Sequence, residues 1–322
     1  MIEKFMKMST KQKILKLLDG RDYTVAELVG VLGLSNQIIH RHLKDLQNDG
    51  EVGKKGKMPR VFYFRKNIQQ SRILESREFF QDKLWPKFSI KRKGKKFLDL
   101  ELPSRKNKKI DFNFLLTASV LYSSNIEGNT LDLNSFLNKE VLSKQKKKEI
   151  GEIEDLREAY IYAQGKKISE KTFLEAHRIL SKSLVSKNRQ GKYRREAVGV
   201  FGSSGLAYLA IESDLVVNEM SLLFEQVAKL LEEKMTKTET FFWAIWLHLM
   251  LNLIHPFSDG NGRASRMLEK WFLAEKLGKD FWYLQTEKYY WDNLEKYYAN
   301  LSLGTNYWEV DFKNAKSFLG IK

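Results

Sequence analysis

His255-Pro256-Phe257-Ser258-Asp259-Gly260-Asn261-Gly262-Arg263-Ala264-Ser265-Arg266 gathers an imidazole, a carboxylate, two glycines around an asparagine and two arginines into one short stretch. The run before it, from Phe241 to Ile254, is apolar apart from His248 and Asn252. Its length suits a buried helix and is too short for a membrane span. Pro256 cannot continue that helix, and Gly260 and Gly262 let the backbone turn before Arg263 opens an amphipathic run through Met267, Leu268 and Phe272. The loop therefore joins two helices and presents a fresh helix N-terminus, whose free amides and dipole attract anions. Asn261 adds a side-chain donor, and Arg263 and Arg266, three apart, project from the first helical turn with forks suited to phosphate oxygens. Asp259 offers an oxygen to magnesium, and His255 can accept a proton from a hydroxyl. Each residue alone fits a helix-capping loop with a structural histidine; their combination reads as a nucleotide site.

These residues match, without a gap, the HPFxDGNGRxxR signature of the Fic family, and the chain resembles that family over residues 110–300. Fic proteins share a compact helical core and mostly transfer AMP from ATP to protein hydroxyls. The resemblance implies ATP as substrate and Mg2+ as cofactor, with His255 the general base, Asp259 the metal ligand, and Gly260, Asn261 and Gly262 the loop cradling the α- and β-phosphates. Arg263 and Arg266 would grip the polyphosphate, Arg266 at the γ-phosphate. Related Doc-type kinases typically replace the second loop glycine by lysine and lose the last arginine. Both Gly262 and Arg266 are present here, which favours adenylyl transfer.

Upstream, Phe112 to Ile126 reads as a helix, with Gly128 placed to cap its C-terminus. Glu127 then sits at the end where a carboxylate opposes the dipole, so a cation from elsewhere is expected beside it. Taken alone it is equally a solvated glutamate. The spacing of Ser123-Ser124-Asn125-Ile126-Glu127-Gly128 resembles the Fic inhibitory motif [S/T]xxxE[G/N]. That resemblance implies an ion pair between Glu127 and Arg266, with Ser123 as the other motif residue, in the class whose inhibitory helix precedes the core.

The chain has 322 residues and no cysteine, which excludes disulfides and thiolate metal sites. Its length makes two domains the natural expectation. The first residues, Met1-Ile2-Glu3-Lys4-Phe5, form no apolar signal segment and no stretch is long enough to span a membrane, so a cytoplasmic protein is expected. The formal charge of +16 is unevenly placed: residues 1–110 hold 27 Lys and Arg against 12 Asp and Glu, leaving 29 against 28 for the rest. Such asymmetry suits a nucleic-acid-binding module joined to a near-neutral enzyme, although a basic face also merely improves solubility.

The front third has a matching pattern. Lys11 to Leu18 reads as a first helix; Thr24, with Glu27 three residues on, opens a second through Val31; Gly33 marks a turn; Ser35 caps a third through Leu46. Ile38, Ile39, Leu43 and Leu46 face a core, leaving Asn36, Gln37, His40, Arg41 and Lys44 outside. Glu51 to Phe64 reads as a hairpin whose tip carries Lys54, Lys55, Lys57 and Arg60. This arrangement resembles a winged helix-turn-helix over residues 9–65, implying phosphate contacts from the wing and base contacts from the third helix. Some winged helices bind protein instead.

Asn67 to Leu84 reads as a linker helix, followed by basic clusters at 91–96 and 105–109, and Lys144 to Lys148 as an exposed turn. Val198, Gly199, Val200 and Phe201 resemble the Fic flap that clamps a target peptide by strand addition, although Tyr208 to Ile211 stand where relatives often carry prolines. Tyr289 and Tyr290, with Trp291 and Leu294, either wall the adenine or fill the core. The expected fold is mainly α: a winged helix-turn-helix domain (1–66), a basic helical linker (67–109) and an all-α Fic-type core with a small β-hairpin flap (110–322). The expected function is AMP transfer from ATP to a Ser, Thr or Tyr hydroxyl of a target protein, with DNA as a further partner and a homodimer as a candidate assembly. The alternatives are a transcriptional regulator whose Fic domain senses nucleotide or modifies itself, and an enzyme that removes AMP from protein.

Overall fold

Thr24 and Glu27 close a capping box: the Glu27 amide donates to Thr24 Oγ1 at 3.3 Å and the Thr24 amide to the Glu27 carboxylate at 2.8 Å. That local signal begins the second helix of the first of two compact units, which divide between Ser71 and Arg72 in the computed structural model of the chain. The structure describes residues 8–18, 21–48, 51–57, 60–65, 71–90, 100–103, 111–138, 144–202 and 205–321.

The first unit runs α1 (Thr10–Leu18), β1 (Tyr23–Thr24), α2 (Val25–Leu32), α3 (Asn36–Asn48), β2 (Val52–Lys57) and β3 (Arg60–Arg65). Its antiparallel sheet has the order β1-β3-β2, with Tyr23 opposite Tyr63 and Lys57 opposite Arg60. Gly33, at φ 66°, ends α2 in the left-handed conformation that glycine adopts freely. Ile14, Leu18, Leu28, Ile39, Leu43, Leu46, Val52 and Tyr63 form the core. This is a winged helix-turn-helix.

The second unit is helical. It begins with α4 (Arg72–Phe79), continues through a π-helical turn (Phe80–Leu84) into α5 (Trp85–Ile90), and resumes at α6 (Phe112–Ile126). There follow α7 (Leu133–Leu137), α8 (Lys144–Gln164), α9 (Glu170–Leu180), the hairpin β4 (Gly199–Gly202) and β5 (Gly205–Leu209), then α10 (Val216–Glu232), α11 (Lys237–Ile254), α12 (Asn261–Leu277), α13 (Thr286–Asp292) and α14 (Leu294–Leu301). Helix α11 is apolar on every side and is buried from Thr240 to Leu251, so it forms the centre that the other helices surround. Trp243, Trp246 and Trp271 are among the largest fully buried side chains.

The expected linker over residues 67–109 needs correction in its helical part. Ile73, Phe80, Leu84 and Phe88 are wholly buried in the second unit's core, and Phe80 and Phe88 lie 5.7 and 5.1 Å from the Phe242 ring. The Trp246 indole donates to Ser76 Oγ at 3.1 Å. Burying these aromatic side chains against α11 outweighs the polar appearance of the segment. The basic clusters at 91–96 and 105–109 lie outside the described residues. Lys144 to Lys148 form the first turn of α8 and not a loop. No helix among the described residues is long and apolar enough to cross a membrane.

Candidate active site

His255 ends α11 at φ 51° and ψ 58°, the sole non-glycine residue in the left-handed region among the described residues. For an L-residue this costs roughly 1–2 kcal/mol, and the following Pro256 makes helical angles harder still. Functional sites are where such strain is retained. The ring's Nδ1 lies 3.2 Å from the Asn252 carbonyl, which can only accept, so Nδ1 carries the proton and Nε2 keeps its lone pair. Burial lowers the His255 pKa; the bond to Asn252 and the charge of Glu127 only partly oppose this. At neutral pH the ring is therefore a neutral base.

The loop closes on itself. Asn261 accepts from the Phe257 amide and donates to the Phe257 carbonyl, both at 2.9 Å, so its side chain fastens the turn. Gly260, at φ 83°, caps α12, and a Cβ there would lie 3.0 Å from Leu180. Asp259 is half-exposed; its Oδ1 accepts from the Gly260 amide at 2.5 Å and lies 3.5 Å from Arg263, while no hydrogen bond reaches Oδ2 among the described residues. An exposed carboxylate with one free oxygen beside a helix N-terminus fits a magnesium ion that takes its remaining ligands from phosphate and water.

Arg266 is almost completely buried and fully engaged. Its Nη2 donates to Glu127 Oε1 at 2.7 Å and to the Ser123 carbonyl at 2.9 Å, its Nε to Ser123 Oγ at 2.9 Å, and its Nη1 to the Tyr297 hydroxyl at 3.0 Å. The carboxylate of Glu127 lies over Gly262: a Cβ on Gly262 would meet Glu127 Oε1 at 2.2 Å. Glu127 thus caps the C-terminus of α6 while its carboxylate reaches the N-terminal turn of α12, where the dipole favours it. Burial works against its charge, but Arg266 and then Arg263 hold its pKa below the ordinary value.

Three residues here escaped the sequence reading. Glu152, on α8, accepts from Arg263 Nη1 at 3.2 Å, while the buried Arg263 Nε finds no hydrogen-bond partner among the described residues. Tyr297 is the aromatic residue that meets Arg266. His177, on α9, stacks on Phe257 at 3.5 Å; the Gly191 amide donates to its Nδ1 and its Nε2–H donates to the Asp259 carbonyl at 3.0 Å. Helix periodicity marks each as a surface or core position and says nothing of which loop it meets.

His177 supports a prediction. Burial lowers its pKa to about 4, so as pH falls the unfolded chain binds this proton before the folded one does. Its contribution is complete above the ordinary imidazole value and declines as pH falls towards 4, by up to about 3 kcal/mol. His177→Asn should be less stable at neutral pH yet lose less on acidification. Urea melts at pH 7 and pH 4.5 check this; equal acid losses in both proteins would exclude it.

Tyr290 is buried, its hydroxyl donates to Glu269 at 2.9 Å, and its ring packs near Tyr297 and Phe318. With the half-buried Tyr289 it lines a cavity of about 260 Å³ shared with Asn293, Tyr297 and Phe318. The expected flap residues form the hairpin: Val200 pairs with Tyr208 and Phe201 with Leu206, and Phe201 is 75% exposed. On α3, Asn36, Gln37, His40, Arg41 and Lys44 are all exposed on the side opposite Ile39, Leu43 and Leu46, and Lys54 is exposed on β2. The side chains of Lys55, Lys57 and Arg60 lie outside the described part of the structure.

Residues 167–273 match the Fic/DOC family and residues 9–53 the arsR family of bacterial regulatory proteins. No curated protein sequence matches the chain. Among solved structures, a Fic family protein from Desulfovibrio desulfuricans G20 is similar at 21% identity and a TM-score of 0.57, over 79% of this chain and 72% of that one. A Fic domain containing signaling protein from Bacteroides thetaiotaomicron VPI-5482 is similar at 19% identity and a TM-score of 0.52, over 70% and 87%. The chain thus carries a Fic/DOC-family domain over residues 167–273, behind a helix-turn-helix of the arsR family.

Proposed function

We propose that the second unit transfers AMP from ATP to a Ser, Thr or Tyr hydroxyl of a protein, that Glu127 restrains this transfer, and that the first unit binds DNA. The observation that carries the reading is the neutral His255 at one end of the loop and, at the other, a fully buried Arg266 held at 2.7 Å by Glu127. In the transfer, His255 Nε2 takes the proton of the target hydroxyl. The hydroxyl oxygen bonds to the α-phosphorus as the bridging bond to the β-phosphate breaks, and pyrophosphate leaves. Amides at the start of α12 face the phosphates, and Arg263, with its unpartnered Nε, offsets the developing charge. Asp259 would hold magnesium, which neutralises phosphate charge when bound. Arg266 engages the γ-phosphate only after leaving Glu127, and that step regulates the enzyme. Val198 to Phe201, on the free side of the hairpin, seat the target segment. Incubation with ATP labelled on the α-phosphate, followed by mass spectrometry of the protein and of added lysate, tests the reading. AMP on hydroxyl side chains supports it, and label transferred as the γ-phosphate alone overturns it.

DNA binding rests on the exposed polar face of α3 and the basic wing. Affinity should fall steeply with salt. Lys54→Ala should weaken binding to all sequences alike and reduce the salt slope by about one, whereas Gln37→Ala or Arg41→Ala should change preference among sequences, by about 1–3 kcal/mol at a base contact. Binding independent of salt would point to a protein partner.

A further inference from the structure

Arg194 carries a buried charge whose hydrogen bonds, among the described residues, all run to main-chain carbonyls. It is 3% exposed; Nε donates to His255 O at 2.7 Å, Nη1 to Glu196 O at 2.8 Å, and Nη2 to Ile211 O at 2.5 Å and Ile254 O at 3.3 Å. Its own amide donates to the Pro256 carbonyl at 2.9 Å. Taking a guanidinium out of water with no carboxylate hydrogen-bonded to it among the described residues is costly, and the charges of Glu196 and Glu212 nearby only partly offset burial, so the side chain is retained for what it joins. Two of its acceptors, the Ile254 and His255 carbonyls, end α11, where no helical amide can reach them and the dipole is negative. The other two, the Glu196 and Ile211 carbonyls, flank the hairpin just before β4 and just after β5. One guanidinium therefore spans the residue with the left-handed backbone and both roots of the hairpin. A non-glycine residue stays in that conformation only where its surroundings over-determine it. Here the restraints on the main chain are Arg194 at the His255 and Pro256 carbonyls and the α11 bond from the His255 amide to Leu251.

We propose that Arg194 is the positioning residue for His255, locking the base and both roots of the β4–β5 hairpin into one rigid body. This rests on the reading of His255 as the general base. The planar fork is essential, because a lysine ammonium has no fixed geometry with which to serve carbonyls on opposite sides.

The test uses the full chain in two arms. In the first, hydrogen exchange is followed by mass spectrometry in Arg194→Lys and Arg194→Gln. Exchange should rise together around residues 253–258 and at the hairpin roots, around 196–198 and 210–212, while α8 and α13 keep their protection. A rise spread evenly over the second unit, or confined to one of the two places, would overturn the proposal. The second arm measures AMP transfer in a Glu127→Gly background. Arg194→Lys should lower kcat by about 10²-fold, the penalty typical of misplacing a reacting group by about 1 Å, with little change in KM for ATP. Millimolar guanidinium should restore part of the rate to Arg194→Ala and none to His255→Ala. A KM for ATP that rises in step with the loss of kcat would assign Arg194 to nucleotide binding and reject positioning. If the Glu127→Gly parent transfers no AMP, the proposed function fails, and the exchange arm still decides the role of Arg194.

Discussion

His255→Ala is expected to reduce AMP transfer by on the order of 10²–10⁴-fold, the range contributed by a positioned general base, while ATP still binds. The separation follows from geometry. The imidazole is fixed by Nδ1 on the Asn252 carbonyl with Nε2 left to accept a proton, whereas the groups proposed to hold the phosphates, the start of α12 with Arg263 and Arg266, lie at the other end of the loop. Label transfer and calorimetric ATP binding, measured on mutant and parent, check this; equal transfer would remove His255 from its role. The pH dependence has a definite sign. The base works only when neutral, and burial lowers its pKa, so transfer should persist below the ordinary imidazole pKa and fall only at more acid pH. A rate that increased on acidification would contradict the assignment.

Glu127→Gly is expected to raise AMP transfer about ten- to a hundredfold, the factor corresponding to a charged hydrogen bond of roughly 1.5–3 kcal/mol that no longer holds Arg266. In the structure the Glu127 carboxylate occupies the space above Gly262 as well as the Arg266 guanidinium. On the proposed reading, a nucleotide bound with Glu127 in place would lack both that space and that arginine, and its α-phosphorus would not align with the incoming oxygen. Glu127→Gly combined with Arg266→Ala should not exceed the parent, because the γ-phosphate then has no grip. Transfer by parent, both single mutants and the double mutant at equal ATP decides the matter. Arg266 also serves Ser123 and Tyr297, so thermal melts of its variants are needed alongside. If Glu127→Gly proved slower than the parent, Glu127 would be acting on water, and removal of AMP from protein would become the better reading.

Much of the architecture was legible because it depends on neighbours in the chain. The helix from Phe112 to Ile126 begins and ends where its apolar run and Gly128 place it, and the Thr24–Glu27 capping box forms as its spacing indicates. In both cases the determining contacts span a few residues. Where a segment is buried by partners far along the chain, composition misleads: α4 and α5 look like a polar linker, yet their aromatic residues complete the core around Phe242. Nor does the sequence show the partners of Tyr290, since Glu269, Tyr297 and Phe318 lie on other elements.

At the candidate site the sequence by itself determined the inventory: a proline-terminated helix, a glycine loop, a base, a carboxylate and two arginines in a fixed order, with a glutamate at an unfavourable helix end. Tertiary structure alone decided what each group touches. It brings Glu152 to Arg263 and Tyr297 to Arg266, and sets His177 beneath the loop. It also gives His255 a left-handed backbone braced by Arg194. The physical reason is range. Capping and periodicity act over one or two helical turns and are written in local order, whereas hydrogen bonds, ion pairs and ring contacts across 31 to 143 positions of chain exist only once the helices have packed.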